Sequence, residues 1–338
     1  MERVAIVGGS YSPLFPCYSW VGGDRWLESF CNELNRRGIK LFVISPSRKV
    51  KNETSFEVVE TASLPEHESG ITNFASEAYS ILKDRQGEYD LIISNSNWSY
   101  VFGGIKKTIA TLHDGLEKAP DNWLVDNPNV YYRFVSESQY KRLCPNNLRS
   151  KSFWLYLGLD NKEYELFGKK DDYYLFVSSL HWNWEAKGID IFLKLAKDNP
   201  QKNFKLYGIG DQKVENYLFK FGEIYKNFTF CGELIDEHRN EVFGRARAFC
   251  QLSRLKESFG TSVISALSKG TPVIGLDSAG ATKELCGNFF PAKNRYSQIE
   301  ELLYRDYNPV DIFNYGKNFS IGLEVDKFIE RAKEILNG

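Results

Sequence analysis

The sequence predicts an α/β protein built from two domains, each with a parallel sheet. Short apolar runs typical of buried strands alternate with amphipathic helical patterns along the whole chain, and this alternation favours doubly wound parallel sheets. The alternation is interrupted by a polar stretch at residues 169–172 and then begins again. A chain of 338 residues is long enough for two domains of ordinary size, each with its own core.

The first half begins with a predicted strand at residues 4–7, followed by a loop rich in proline and aromatic residues and by the pair Gly22-Gly23. Apolar residues then recur at helical spacing from Trp26 to Leu34, and Arg36-Arg37-Gly38 is typical of a helix end. A second amphipathic helix is predicted around residues 71–82. The further predicted strands of this half are residues 41–44, 91–94, 108–112 and 131–135.

The second half repeats this organisation after a linker near residues 158–170. Its predicted strands are residues 173–177, 204–207, 228–230, 248–252 and 273–276, and a helix follows the first of them. The last predicted helix carries its apolar side chains on one face. That face consists of Val325, Phe328, Ile329, Ala332 and Leu336.

Composition and charge narrow the classes of function. Hydrophobic residues make up 42% of the chain and charged residues 26%, as in a globular protein. A net charge of −1 gives no reason to expect a nucleic-acid partner, which basic side chains would hold through its phosphates. No apolar run approaches the roughly 20 residues of a membrane span, and the first residues look like a strand rather than a signal peptide. We therefore expect a cytoplasmic protein, at most peripheral at a membrane surface.

Cysteine and histidine patterns indicate neither disulfides nor a metal. The six cysteines include no Cys-x-x-Cys pair, and several fall in apolar strand or helix patterns, which favours buried reduced thiols. The chain has no Asp-x-Asp triplet, and its four histidines lie far apart in sequence. A metal that bridges a diphosphate is therefore not expected.

The most informative stretch is residues 257–274. Glu257 stands just before the turn Phe259-Gly260, and the apolar helical pattern that follows ends at Lys269-Gly270. Such a turn puts free backbone N–H groups and the positive end of a helix beside one carboxylate. That combination suits a ligand with a phosphate at one end and hydroxyls at the other, as in a nucleotide sugar.

This stretch resembles the donor-site signature of the family 4 retaining glycosyltransferases (glycosyl transferases group 1), which have the GT-B fold. The resemblance covers nearly the whole chain in the right order and is more specific in the second half. It implies two Rossmann-like domains that face each other across a cleft. Residues 1–160, joined by a C-terminal helix at about 320–338, would form the acceptor-side domain. Residues 168–319 would form the domain that binds the nucleotide-sugar donor.

In the family, two glutamates with seven residues between them hold the donor sugar and the ribose. The resemblance implies that Glu257 contacts the sugar hydroxyls, whereas the ribose position is Ser265. A serine lacks the charge assistance that makes such hydrogen bonds worth ~1.5–3 kcal/mol, so ribose binding is either weaker here or supplied elsewhere. Main-chain groups of four residues are implied to cradle the sugar and phosphate: Phe259, Gly260, Thr261 and Ser262.

The loop at residues 178–188 carries the implied diphosphate site. The resemblance implies that Lys187, which opens a helix, holds the diphosphate together with an arginine, but Ser179 occupies the arginine position. Gly208 matches the family's Gly-x-Gly turn after the second strand, and Gly232 matches the place where main-chain groups hold the base. An ordinary turn explains both glycines equally well.

Two features of the first half have a similar double interpretation. The pair Gly22-Gly23 precedes a helix N-terminus, so its N–H groups either approach an anion or belong to a plain turn. In the family, a glycine loop at this place lies against the donor phosphates and the acceptor.

His113, at the end of a predicted strand, resembles the strand-end histidine that hydrogen-bonds the donor sugar; a structural histidine is the alternative. Asp114 would orient that histidine or cap a turn.

The resemblance implies a metal-independent, retaining glycosyltransferase without a cofactor. It would take a nucleotide-sugar donor and a carbohydrate or lipid-linked acceptor, with His113, Lys187 and Glu257 as its catalytic residues. Two alternatives stay open. One is a non-catalytic GT-B paralogue that binds nucleotide or a partner, because Ser179 and Ser265 replace charged residues. The other is a nucleotide-sugar epimerase, which would need acid and base groups that few residues at these loops provide.

Overall fold

The computed structural model describes residues 1–8, 22–46, 54–61, 68–95, 99–113, 124–180, 184–277, 280–287 and 295–338. Contacts within the chain divide it into two compact units. The first unit comprises Met1–Asp160 and Phe319–Gly338, and the second comprises Asn161–Asn318. Each unit is built on one parallel sheet.

Strands and helices alternate along the chain, as the sequence patterns predict. The strands are β1 (Arg3–Val7), β2 (Lys40–Ser45), β3 (Glu57–Glu60), β4 (Leu91–Ser94), β5 (Thr108–Leu112), β6 (Val130–Phe134), β7 (Ser152–Trp154), β8 (Tyr173–Val177), β9 (Asn203–Tyr207), β10 (Phe228–Phe230), β11 (Ala248–Gln251) and β12 (Val273–Gly275). The helices are α1 (Gly22–Arg36), α2 (Glu68–Asp84), α3 (Glu137–Leu143), α4 (Ile189–Asp198), α5 (Gln212–Ile224), α6 (Asp236–Arg245), α7 (Thr261–Leu267), α8 (Thr282–Cys286), α9 (Tyr296–Leu302), α10 (Pro309–Gly316) and α11 (Ile321–Asn337).

The sheet of the first unit has the strand order β3-β2-β1-β4-β5-β6-β7, and every pairing is parallel. The sequence patterns missed β3 and β7, which are the two edge strands of this sheet. β3 has only two apolar residues and is nowhere fully buried, and β7 is three residues long. An edge strand is covered on fewer sides than a central one, so it needs less of the apolar sequence that marks a buried strand.

The sheet of the second unit has the order β10-β9-β8-β11-β12 and is also parallel throughout. Helix α4 packs on it through Phe192, whose ring centroid lies 5.1 Å from that of Phe176 in β8 and 5.4 Å from that of Phe204 in β9. Burying one such side chain contributes about 1.5–3 kcal/mol. This packing fixes where α4 begins, and therefore where the loop before it lies.

Helix α11 packs against α1 within the first unit, with the rings of Phe30 and Phe328 5.1 Å apart. Its buried face differs from the predicted one, because Glu324 and Ile335 are buried, whereas Ile329 and Leu336 are only partly covered. The buried carboxylate of Glu324 is paired with the guanidinium of Arg133, which is itself 0% exposed. A hydrophobicity pattern cannot anticipate a buried charge whose partner comes from a distant strand.

The described cysteines are free thiols, four of them buried and Cys231 partly exposed, and Cys17 lies outside the described residues. Burial raises the pKa of the Cys31 and Cys250 thiols above the ordinary range. Among the described helices, none has the length and apolar character that crossing a membrane requires.

Candidate functional site

The parallel sheet of the second unit gathers several predicted residues along one edge. Its strands all run in the same direction, so the loops that follow them leave from the same side of the sheet. Lys187 lies in the loop after β8, and Gly208 and Gly232 follow β9 and β10. Glu257 lies in the loop after β11.

Two of these side chains form an ion pair. Lys187 Nζ donates to Glu257 Oε1 at 2.8 Å, and the side chains are 30% and 21% exposed. Both groups therefore remain accessible to a ligand while each neutralises the other. The ammonium and the carboxylate that the sequence assigns to different parts of a nucleotide sugar lie side by side.

Gly188 explains how the lysine loop comes so close to β11. It precedes α4 with a φ of +84°, and a Cβ at this position would overlap the carbonyl oxygen of Leu252. Only glycine combines the left-handed conformation with this close approach. The backbone contact at Gly188 brings the neighbouring Lys187 to the loop that carries Glu257.

Arg254, which the sequence analysis did not single out, fastens the same two loops. Its backbone N–H donates to Ala186 O at 2.8 Å, and its Nη1 donates to Glu185 O at 2.6 Å. Both terminal nitrogens also reach the carboxylate of Asp190 in the first turn of α4, each at 2.7 Å. The guanidinium therefore has its partners within the protein and positions the loop of Lys187.

The carboxylate loop is held by its own backbone. Glu257 N donates to Leu255 O at 2.9 Å, and Ala281 N donates to Glu257 O at 3.0 Å. The second bond ties the loop after β12 to the residue that pairs with Lys187. The loop after β12 thus supports the position of Glu257.

Helix α7 begins directly after Gly260, three residues beyond Glu257. Phe259 is 3% exposed, so its ring belongs to the core and only its main chain can face a ligand. Thr261 and Ser262 are partly exposed, and the N–H groups of a first helical turn have no acceptor within the helix. These two residues offer main-chain donors beside the ion pair.

Ser265 does not offer a hydroxyl to an outside ligand. It is 1% exposed, and its Oγ accepts from Arg239 Nη2 at 3.4 Å. Its place on α7 faces the interior. That ribose binding is weaker here or supplied elsewhere stays a prediction.

The glycines after β9 and β10 have a structural explanation. Gly208 N donates to Gly232 O at 2.8 Å, and a Cβ at Gly208 would overlap the carbonyl oxygen of Ser178. The Gly-x-Gly turn therefore lets the loop after β8 pack closely against the loop after β9. Ser179 lies in that packed loop, so a neutral hydroxyl stands at the position where the family has an arginine.

In the first unit, the structure brings His113 and Gly23 together. His113 follows β5, and a Cβ at Gly23 would lie 3.9 Å from its Nδ1. The ring also lies 5.2 Å from that of Trp26 in the same helix as Gly23. Gly22 is the first residue of α1, so the predicted glycine pair does stand at a helix N-terminus.

Asn95 fixes the protonation of the histidine. It follows β4, the strand beside β5, and its Oδ1 is hydrogen-bonded to His113 Nε2. Because an amide oxygen only accepts, Nε2 carries the proton and Nδ1 is the acceptor nitrogen beside Gly23. Asn95 was not predicted as a site residue, although it directly follows a strand, as His113 does.

The histidine is neutral across the physiological range. Burial, with a smaller effect from the nearby Arg133 charge, lowers the pKa of His113 from 6.5 to about 3. A neutral imidazole of this kind accepts or donates one hydrogen bond on each side but holds no positive charge. Its chemistry is therefore hydrogen bonding rather than electrostatic stabilisation of a phosphate.

Arg133 and Glu324 form a buried network beneath this histidine. The Glu324 carboxylate accepts from Arg133 Nη2, from Trp26 Nε1 at 2.8 and 2.9 Å, and from the backbone N–H of Gly158. The guanidinium also lies over the rings of Trp26, Phe30 and Phe328 at 5.1 to 5.6 Å. The network joins α11 to α1 through Trp26, to β6 through Arg133, and to the backbone at Gly158.

Among the residues that the structure describes, no three His, Cys, Asp or Glu side chains come together as a metal-binding group. The aromatic loop before Gly22 and Asp114 lie outside the described residues.

Solved structures share this fold along the whole chain. A glycosyltransferase from Rickettsia africae superposes with a TM-score of 0.74 at 17% identity, covering 99% of this chain and 98% of that one. AviGT4, a glycosyltransferase involved in avilamycin A biosynthesis, gives 0.71 at 15% identity, covering 100% and 99%. HepE from Anabaena, in complex with UDP and glucose, gives 0.71 at 16% identity, covering 99% and 100%. The chain has the GT-B fold, as the sequence predicts.

The second unit also matches a family by sequence. Residues 160–298 match the family model of the glycosyl transferases group 1. The matched residues include Lys187, Glu257 and the first turn of α7. No protein of curated function matches the sequence significantly.

Proposed function

We propose that this protein is a retaining, metal-independent glycosyltransferase that moves a sugar from a nucleoside diphosphate to a carbohydrate or lipid-linked acceptor. The observation that carries the proposal is the ion pair between Lys187 and Glu257, 2.8 Å long and partly exposed, at the carboxyl edge of the second sheet. It lies within the residues that match the glycosyl transferases group 1. HepE, whose fold is similar, is a complex with UDP and glucose, which supports a nucleotide sugar as the donor.

The two charged groups take different parts of the donor. The Lys187 ammonium binds the diphosphate and stabilises the negative charge that develops as it departs. The Glu257 carboxylate accepts hydrogen bonds from the sugar hydroxyls, which are charge-assisted and therefore strong. The amides of Gly260, Thr261 and Ser262 add neutral donors at the positive end of α7.

In the first unit, the groups that the proposal assigns to hydrogen bonding are the neutral imidazole of His113 and the main chain of Gly22 and Gly23. A bond forms between the acceptor oxygen and the anomeric carbon while the bond from that carbon to the diphosphate breaks. The departing phosphate oxygen takes the acceptor proton, so the reaction needs no side-chain base.

The proposal is tested with purified protein and a panel of UDP-, GDP- and ADP-sugars. A donor that binds should raise the melting temperature, because a ligand of the folded state stabilises it. The same donor should be hydrolysed slowly without an acceptor and transferred in the presence of one. If no nucleotide sugar of the panel either binds or is hydrolysed, the protein is not a glycosyltransferase of this kind.

A non-catalytic nucleotide-binding protein is the second candidate. It is favoured by the two positions where charged residues are replaced, since Ser179 brings no cation and Ser265 is buried. Calorimetry that finds nucleotide binding, together with a complete lack of donor hydrolysis and transfer, would favour this candidate over the enzyme.

A further inference from the structure

A groove on the second unit is not used by the proposed reaction. It lies between α4 and α5 and has a volume of about 530 Å³. Its apolar lining consists of Trp184, Leu193, Tyr217, Phe221, Ile224 and Tyr225, and we call it the α4–α5 groove. The rings of Trp184 and Tyr217 are 5.9 Å apart and those of Phe221 and Tyr225 are 4.4 Å apart, so aromatic surface lines much of its length.

Two apolar side chains of the groove are unusually open to solvent. Ile224 is 71% exposed and Tyr217 is 48% exposed. They lie seven residues apart on α5, two helical turns, and therefore project from the same face of the helix. A contiguous apolar patch with a polar rim is typical of a binding surface.

The rim of the groove carries an excess of positive charge. Lys194, Lys197 and Lys220 line it together with two carboxylates, those of Asp190 and Asp198. Both carboxylates already have partners. Asp190 receives two hydrogen bonds from Arg254, and Asp198 is paired with Lys194 and also accepts from Tyr296.

Two ammonium groups of the rim form no ion pair within the described residues, although Lys197 lies near enough to Asp198 to interact with its charge. Within the described part of the chain, neither Lys197 nor Lys220 lies at ion-pair distance from a carboxylate, whereas the chain as a whole has a net charge of −1. The groove therefore combines aromatic walls with two ammonium groups that attract an anion. A neutral or cationic ligand would not pair with these ammonium groups.

The groove is connected to the loop of the proposed donor site. Trp184 belongs to the loop after β8, three residues before Lys187. Arg254 donates hydrogen bonds both to Asp190, on the groove rim, and to the backbone oxygen of Glu185. A chain-like ligand can therefore lie along the groove and extend toward the loop of Lys187.

We propose that the α4–α5 groove binds a negatively charged saccharide chain. The C–H faces of the sugar rings would pack on Trp184 and Tyr217, while carboxylate or phosphate groups would pair with Lys197 and Lys220. A concave groove two helical turns long fits a few sugar rings and does not match the flat surface of a membrane. This binding does not rest on the function proposed above, because it needs no nucleotide-sugar donor.

The test measures direct binding of oligogalacturonates, with neutral malto-oligosaccharides of the same length for comparison. Calorimetry and tryptophan fluorescence should show binding of the anionic chain, which weakens as NaCl rises because salt screens exposed charges. The double variant K197Q/K220Q should weaken this binding by roughly tenfold or more, because the loss of one charge-assisted hydrogen bond is expected to lower the affinity by about that factor. Trp184→Ala should weaken it further and remove the fluorescence change.

Two matched controls keep these variants interpretable. Lys226→Gln removes an exposed charge just beyond α5, and Phe219→Ala removes an apolar side chain of α5 that packs on Phe230 rather than in the groove. Both should bind the oligogalacturonate as the unmodified protein does. Melting temperatures of all variants establish that each one is folded.

Three outcomes overturn the proposal: no binding of the anionic chain, binding that the groove variants leave unchanged, or equal binding of the neutral chain. Groove-dependent binding to phosphatidylglycerol vesicles without saccharide binding also overturns it, in favour of a membrane surface. Nucleotide-sugar binding and hydrolysis are measured on the same preparations without saccharide. A failure of the groove is thereby distinguished from a failure of the glycosyltransferase.

Discussion

Lys187 Nζ and Glu257 Oε1 are partners at 2.8 Å, although 70 residues separate them in the chain. The proposed donor would therefore enter a site in which its two charged contacts already satisfy each other. Its diphosphate must replace Glu257 as the partner of Lys187, and its hydroxyls must replace Lys187 as the partner of Glu257. On the proposed function, the ion pair would hold both side chains in place until a ligand with both kinds of group binds.

Glu257→Ala is expected to lower sugar transfer by ~10- to 100-fold, because charge-assisted hydrogen bonds to the sugar are lost. Initial rates at saturating donor measure the effect. The matched control is Glu237→Ala, an exposed carboxylate in the first turn of α6. A transfer rate in Glu257→Ala equal to that of the unmodified protein would remove this residue from the site.

Binding of the free nucleoside diphosphate should respond to the two members of the pair in opposite directions. Lys187→Gln removes the ammonium that binds the diphosphate and should weaken binding about tenfold. Glu257→Gln leaves that ammonium without its internal partner, so binding should be unchanged or stronger even though transfer falls. Calorimetry in the absence of sugar measures both. A loss of nucleotide affinity in Glu257→Gln as large as in Lys187→Gln contradicts the division of roles.

Gly188→Ala should destabilise the second unit and impair nucleotide binding together. The new Cβ would overlap Leu252 O, and alanine disfavours a φ of +84°. Strain of this kind costs on the order of 1–3 kcal/mol. Chemical denaturation measures the loss, and Gly168→Ala is the control, because an added Cβ at that residue has no neighbour within 4 Å. The prediction is wrong if the two alanine variants are equally stable.

His113 should make stability fall as the pH decreases below the ordinary histidine pKa. The pKa is about 3 in the folded protein and 6.5 ordinarily, so between these values the unfolded chain binds a proton that the folded protein excludes. The free energy of unfolding therefore decreases toward low pH by up to about 1.4 kcal/mol per pH unit.

Urea unfolding of the unmodified protein and of His113→Gln, at pH values between about 4 and 7, isolates this contribution. His113→Gln should have a shallower pH dependence, whereas His238→Gln, which alters an exposed histidine, should not. Equal slopes for all three proteins would mean that His113 titrates normally when folded.

Glu324→Ala should lower the free energy of unfolding by about 3–5 kcal/mol, because it leaves the buried Arg133 without a counter-charge. Glu330→Ala, an exposed change in the same helix, should stay within about 0.5 kcal/mol. Denaturant unfolding measures both. The double variant R133M/E324M removes both charges and should lose less stability than Glu324→Ala. A larger loss in the double variant would show that the stability comes from the attraction between the two charges. The unpaired charge left in the single variant would then not explain the loss.

Much of the architecture could be predicted because it rests on local patterns. The central strands β4, β5 and β8 and the edge strand β10 have the bounds that their apolar runs predict. The start of α4 after Lys187-Gly188 and the end of α1 near Gly38 were likewise predicted, since glycine marks both termini. The edge strands β3 and β7 escaped prediction, since partial exposure leaves them little apolar sequence.

The sequence by itself determined the two parallel sheets and which loops leave their carboxyl edges, because periodicity and glycine turns act over a few neighbouring residues. Only the tertiary structure decided which side chains meet. It paired Lys187 with Glu257, set Asn95 on His113, turned Ser265 inward beneath Arg239 and buried Glu324 against Arg133. Each of these contacts joins distant segments, and its geometry follows from how helices pack on the sheets rather than from the residues on either side.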